Sequence, residues 1–263
     1  MTAAQQTNMS RDPAFNSGGD SKPTIPDSPV RIASAPRRVA SAVAIGALVS
    51  TLATGAYAGK PTNITDAEMA LLPRYCADTQ TFGYGGAGSP NMSPNAPRWV
   101  GLMGNGFWAM HHYCWALINL ARAQKPSMPA NVRQATREYA IDDMKFVIEN
   151  TTADFIMLPE IYTKVGEVQL LLKLAPEARD AFAKARSLKP DYWPPYFHWA
   201  EYLRQVGQKP QAREVVEEGL SYSPNAKQLQ NLLVTLGGDP ASIPPRSTAG
   251  PASDPTDSKA PPK

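Results

Sequence analysis

The sequence predicts an all-α fold, an α-solenoid of about three helical hairpins closed by a C-terminal capping helix. Three observations predict it. Residue types recur at a spacing of 34 between two adjoining stretches. Small residues and prolines fall where paired helices must touch and where they must stop. A short amphipathic segment, KQLQNLLVTL, follows the last unit and suits a closing helix.

Composition sets the outer limits. The chain has 263 residues, 26 of them proline. That is about twice the usual share of roughly 5%, and it excludes one compact domain running end to end. A net charge of +3 is too mild for a nucleic-acid partner. Two cysteines exclude a disulfide-dense scaffold and a four-cysteine zinc site.

Residues 1–29 are polar and rich in Pro, Gly and Ser, with too little apolar surface to offset chain entropy, so they read as a disordered or untranslated extension. Residues 30–58 have the three-part plan of a secretory signal. Arg31, Arg37 and Arg38 are basic, Val39 to Leu52 is apolar, and Ala56-Tyr57-Ala58 is a small-x-small cleavage pattern. The 14 apolar residues fall short of the roughly 20 needed to span a bilayer. The expectation is cleavage after Ala58, a periplasmic or otherwise extracytoplasmic location, and membrane contact only through this segment. A start at Val30, since GTG can initiate in bacteria, would give the leader an ordinary length.

Residues 59–105 form an N-terminal segment with a short helix from Asp66 to Leu72, capped by Thr65 or Asp66 and ended by Pro73. Thr79 to Pro97 is rich in Gly, Pro and Asn and reads as a long loop, either mobile or a binding loop. Residues 106–150 read as a divergent hairpin. Phe107, Met110, Cys114, Leu117 and Ala121 mark one face of its first helix, and Ala140, Met144, Val147 and Ile148 recur along its second.

The repeat follows, as units 159–192 and 193–226. Pro190 matches Pro224 and Ala178 matches Ala212, each 34 residues on. Phe182 falls on Val216, Ala185 on Gly219, Leu188 on Tyr222, Tyr162 on Tyr196, Val165 on Trp199, and Gly166 on Ala200. Gly166 and Ala200 let the first helix of each pair approach the second, and Phe182 and Tyr196 fill the space between. Pro190 and Pro224 end the second helices, and Gly207 stops a first helix. The capping helix spans 227–237, and a flexible, proline-punctuated tail occupies 238–263.

The stretches PEIYTKVGEVQLLLKLAPEARDAFAKARSLKP and WPPYFHWAEYLRQVGQKPQAREVVEEGLSYSP resemble tetratricopeptide repeats. The resemblance covers about 68 residues; Val165, Gln169, Ala200 and Gly219 depart from its usual pattern. It implies a right-handed solenoid whose first helices line a concave groove. By the family's register the groove positions are Glu160, Thr163, Glu167, Leu170 and Leu171, then Pro194, Phe197, Glu201, Arg204 and Gln205. Acid, apolar surface and one base suit a peptide or helix better than a phosphate-bearing ligand. Only Arg204 fits the family's carboxylate clamp.

The function this implies is non-enzymatic: an extracytoplasmic scaffold or adaptor for a protein or peptide partner, within an envelope, secretion or polymer-export assembly. A second reading is a metal-binding protein or thiol enzyme using Cys76, His111, His112 and Cys114. A third is a glycan-binding module using Trp99, Trp108, Trp193 and Tyr196. In an oxidising compartment Cys76 and Cys114 would form a disulfide; the alternative is two buried free thiols. The acid pairs Asp142-Asp143, Glu217-Glu218 and Glu160/Glu167 read as solvated faces. With no phosphate loop, no Ser-His-Asp order and no nucleotide fingerprint, neither a cofactor nor a metal is expected.

Overall fold

The structure is a computed structural model that describes residues 59–246. The leader expected at 30–58, the extension before it and the chain beyond 246 lie outside the described residues. What is described is all-α, and its only β-type pairing consists of isolated bridges, Gln80 to Tyr84 and Gly85 to Met92.

The α-helices run α1 (Asp66–Ala70), α2 (Ala96–Met103), α3 (Met110–Ala123), α4 (Ala130–Glu149), α5 (Leu158–Leu171), α6 (Ala175–Leu188), α7 (Pro194–Gln205), α8 (Lys209–Tyr222) and α9 (Lys227–Thr235). Helices pack as neighbours in the chain: α3 with α4, α5 with α6, α7 with α8. Successive pairs touch through α4 and α5, α6 and α7, and α5 and α7, while α9 packs on α7 and α8.

Proline opens helices here as well as following them. It occupies the first turn of α2, α5, α6, α7 and α8, where the missing N–H has no intrahelical acceptor. The first helices of both repeat units end alike. Gly207 has φ +82°, and Gln208 N–H donates to Leu203 O at 2.8 Å. Lys173, 34 positions earlier, takes φ +63°, and Leu174 N–H donates to Gln169 O at 2.9 Å. This left-handed closure satisfies carbonyls that the helix leaves open. At Lys173 it does so without glycine, so the sequence carries no mark of it.

The small residues sit where the repeat pattern needs them. A Cβ on Gly166 would lie 2.7 Å from the Phe182 ring. The second unit reverses the arrangement: its glycine, Gly219, is on the second helix, and a Cβ there would come within 2.8 Å of Tyr196 on the first. The core forms two clusters. One runs from Tyr75 through α3 to α6; the other unites Tyr196, Ala200, Val216, Leu229 and Leu233 in α7–α9.

The N-terminal segment is more ordered than its composition predicts. The sulfurs of Cys76 and Cys114 are 2.02 Å apart, at bonding distance, and tie a 3-10 turn (Arg74–Asp78) to α3. The Asp78 carboxylate then accepts hydrogen bonds from Ser93 Oγ (2.6 Å), Asn95 Nδ2 (3.1 Å) and Trp99 Nε1 (2.7 Å). Burial pushes this carboxyl up, but the three donors together with the Arg98 charge outweigh it and hold it below the usual range. The stretch 79–97, expected as a mobile or binding loop, is therefore drawn together around one buried acid and leads into α2. Trp115 Nε1 of α3 donates to Thr81 Oγ1 (2.9 Å) and fixes it from the other side.

Residues 59–63 cross α3. Asn119 Nδ2 donates to Gly59 O at 3.0 Å, and Arg122 donates to Thr62 O at 3.0 Å. Arg122 also grips Glu68 through two bonds of 2.7 and 2.9 Å. Thr65 and Glu68 cap α1 reciprocally. At the other end packing continues past 238, where a flexible tail was expected. Ile243 lies on the second core cluster, Arg246 N–H donates to Ser221 O, and the Arg246 guanidinium covers Tyr222.

Candidate functional site

Three clefts adjoin along the odd-numbered helices. Between α5 and α7 a cleft of about 420 Å³ is lined by Glu167, Leu170, Leu171, His198, Glu201, Tyr202 and Gln205. Between α7 and α9 a second, of about 410 Å³, takes in Phe197, Glu201, Arg204 and Leu232. Between α3 and α5 a third, of about 170 Å³, has Leu117, Leu120, Ala121, Val168 and Leu171 as apolar walls. Gln124, Arg137, Lys164 and Glu167 complete its lining. Glu167 and Leu171 belong to two of these clefts, and Glu201 to another two. The clefts therefore form one continuous surface crossing α3, α5, α7 and α9.

The structure thus brings together Glu167, Leu170, Leu171, Glu201 and Gln205, with Phe197 and Arg204 adjoining. It separates three expected members, Thr163, Glu160 and Pro194, which line none of the three clefts. Thr163 is only 3% exposed, and its hydroxyl donates to Pro159 O at 2.7 Å. That bond satisfies the hydroxyl and lets it be buried within α5, out of reach of a partner. Glu160 is drawn the other way, accepting from the buried Tyr113 hydroxyl at 2.9 Å. Burial first, and the Glu160 charge second, push the Tyr113 phenol up. Pro194 is half-buried at the start of α7.

The register did not supply the α3 wall, His198 or Tyr202. His198 Nε2 is 3.5 Å from Glu167 Oε1, and its ring faces Phe182 and Phe197. Burial pushes the imidazole below its ordinary pKa, with Glu167 opposing and Lys164 adding to the shift. Leu117 and Gln124 share a cleft with Lys164 and Leu171, which stand 47 positions on in each case. A 47-residue offset in the first helices was the signal that could have found this wall.

Each groove acid has a base beside it. Lys164 Nζ donates to Glu167 at 2.8 Å, and Arg204 donates to Glu201 through bonds of 2.6 and 2.9 Å. The Arg204 hydrogen bond is the main cause holding the Glu201 carboxyl below its usual range. Arg137 differs. It donates to Leu171 O at 3.3 Å and has no carboxylate partner among the described residues.

The His/Cys region has different chemistry. The two sulfurs are joined, so neither is a thiolate ligand or nucleophile. His111 Nδ1 lies 2.8 Å from Trp108 O and its Nε2 lies 2.7 Å from Gln80 Nε2, so both ring nitrogens are engaged. Burial, then the neighbouring His112, pushes the His111 imidazole down to about 4. His112 Nδ1 is 2.7 Å from Asp143 Oδ1. Asp143, expected on a solvated face, is 7% exposed, because α4 turns it inward onto this histidine. Its neighbour Asp142 remains exposed. Among the described residues no group of three His, Cys, Asp or Glu side chains is placed to hold a metal ion.

The aromatic residues of the glycan reading do not share a surface. Tyr196 is 1% exposed beneath the Arg186 guanidinium, and Trp99 is turned onto Asp78. Trp193 lines a separate cleft of about 560 Å³ with Asp191, Tyr222 and Lys227.

The chain matches no protein-family model, no curated protein and no solved structure.

Proposed function

We propose that this chain is an exported, tetratricopeptide-type α-solenoid that holds a protein segment in the groove crossing α3, α5, α7 and α9. The observation that carries the reading is the continuity of the three clefts through Glu167, Leu171 and Glu201. Repeat units spaced by 34 residues and left-handed closures at Lys173 and Gly207 support the solenoid. The Cys76–Cys114 bond is compatible with an oxidising extracytoplasmic compartment, and the leader pattern at 30–58 agrees with it. Preformed helices would bind with little ordering cost, through apolar contact at Leu170, Leu171 and Phe197. Glu167, Glu201 and Arg204 would supply selectivity. The role is that of an adaptor or assembly factor rather than an enzyme.

Photo-crosslinking in the native envelope tests it. A photoreactive residue at Leu171 should give a defined adduct, and one at exposed Arg179 on α6 should not. Equal labelling from both positions, or none from Leu171, would overturn the groove assignment.

A further inference from the structure

The three clefts differ in size and in charge, and this difference specifies a partner. The α3/α5 cleft is the smallest, about 170 Å³. A helix is about 10–12 Å across, so this cleft admits one apolar side chain and not a helix. Its walls, Leu117, Leu120, Ala121, Val168 and Leu171, are apolar. Two cations, Arg137 and Lys164, stand at its lining against one acid, Glu167, which Lys164 already engages. Arg137 is left as a half-buried cation whose hydrogen bond goes to a backbone carbonyl, Leu171 O. Further along, Glu167 and Glu201 each have a base beside them, so the excess positive charge lies at the α3/α5 end.

Spacing adds a second constraint. The α3/α5 and α5/α7 clefts flank the same helix and share Glu167 and Leu171, so they lie about one helix width apart, about 10 Å. A polyproline-II-like chain returns to the same side every third residue, a rise of about 9 Å. Two apolar side chains three residues apart therefore reach both clefts, and a residue next to the first one points to the rim, where Arg137 stands.

We infer that the groove takes an extended acidic–apolar segment of another protein, with one apolar side chain in the α3/α5 cleft, a second three residues along in the α5/α7 cleft, and an acidic side chain beside the first that pairs with Arg137. The inference rests on the groove being the binding surface. The chain's own ends do not have this chemistry: residues 1–29 place no two Val, Ile, Leu, Met or aromatic side chains three positions apart, residues 30–58 contain no acid, and residues 247–263 contain no Val, Ile, Leu, Met or aromatic side chain.

The test uses blocked heptapeptides, so that terminal charges play no part. The probes are acetyl-Ser-Asp-Leu-Ser-Ser-Leu-Ser-amide and its reversed order, each with a partner in which Lys replaces Asp and another in which Ser replaces both Leu. Binding to the folded, disulfide-bonded protein is followed by NMR line shifts at low salt. At least one Asp probe should bind roughly fivefold more tightly than its Lys partner, the range of an exposed charge pair. The advantage should shrink in high salt. The Ser probes should not bind. Arg137→Gln should erase the Asp preference and Arg137→Glu should reverse it, a reversal that a merely structural role for Arg137 would not produce. If Asp and Lys probes bind alike but Leu171→Glu abolishes both, the groove reading stands and the acidic preference is wrong. If no Leu-containing probe binds, or binding survives Leu171→Glu, this inference fails. If the protein instead self-associates through a surface that Leu171→Glu disrupts, the occupant is a second copy and the inference is overturned.

Discussion

Gly166 of α5 lies directly against Phe182 of α6: a single added carbon would approach the ring to 2.7 Å. The fully buried ring has neighbours on its other sides, His198 and Trp199 of α7. Gly166→Ala therefore sets about 1 kcal/mol of helix propensity against an overpacking cost of about 1–3 kcal/mol. Net destabilisation of about 0–2 kcal/mol is expected in urea unfolding. Combining it with Phe182→Leu should give less than the sum of the two single losses.

The Cys76–Cys114 bond closes a loop with a sequence separation of 38, and both cysteines are fully buried. Restraining a chain of that length is worth about 4 kcal/mol on the loop-entropy account. The double variant Cys76→Ser, Cys114→Ser should lose about that much, and a reducing agent should lower the urea midpoint of the native chain alone. Equal midpoints with and without reductant would mean that the bond is not formed in solution.

Acid should weaken the fold in two stages. His111 is pushed from 6.5 down to about 4, chiefly by burial. The unfolded chain then binds the extra proton first, so stability falls as pH drops from 6.5 toward 4, by about 3 kcal/mol. Glu68 is pulled from 4.5 down to about 2, first by its hydrogen bond from Arg122. Its contribution is present above 4.5 and lost as pH falls toward 2; for a part-buried ion pair at the protein surface, screened by solvent, it is about 1 kcal/mol. Unfolding free energy measured against pH should show both limbs, with His111→Gln removing the upper and Glu68→Gln the lower.

Leu171 is 54% exposed although it joins two clefts. Leu171→Glu should change stability by no more than about 0.5 kcal/mol. The same change should abolish the adduct from a photoreactive group placed at Gln205 across the cleft. Circular dichroism and crosslinking on one preparation check both halves.

The readable part of this fold was what repeats locally. Pro190 and Pro224, Gly166 and Ala200, and Ala178 and Ala212 mark α5–α8 because helix period and helix ends act within one or two turns. The rest depends on contacts distant in sequence. The 79–97 stretch is a loop as far as Asn95, as its composition indicates, but nothing around Asp78 announces that Ser93, Asn95 and Trp99 will converge on it, and α2, which starts at Ala96, went unseen. Lys173 adopts a glycine-like backbone without being glycine. The groove register found Glu167, Leu171 and Glu201, but it placed Thr163 among them because it could not register the internal bond to Pro159. It missed Leu117 and Arg137 because the first hairpin is out of step with the 34-residue spacing.

Residues 59–63 cover α3 at one end and α9 covers α8 at the other. Stacked helices left bare at their termini invite copies to add head to tail into filaments. On the proposed groove reading a partner would lie across the helices, and these end segments would oppose the open-ended addition of further copies.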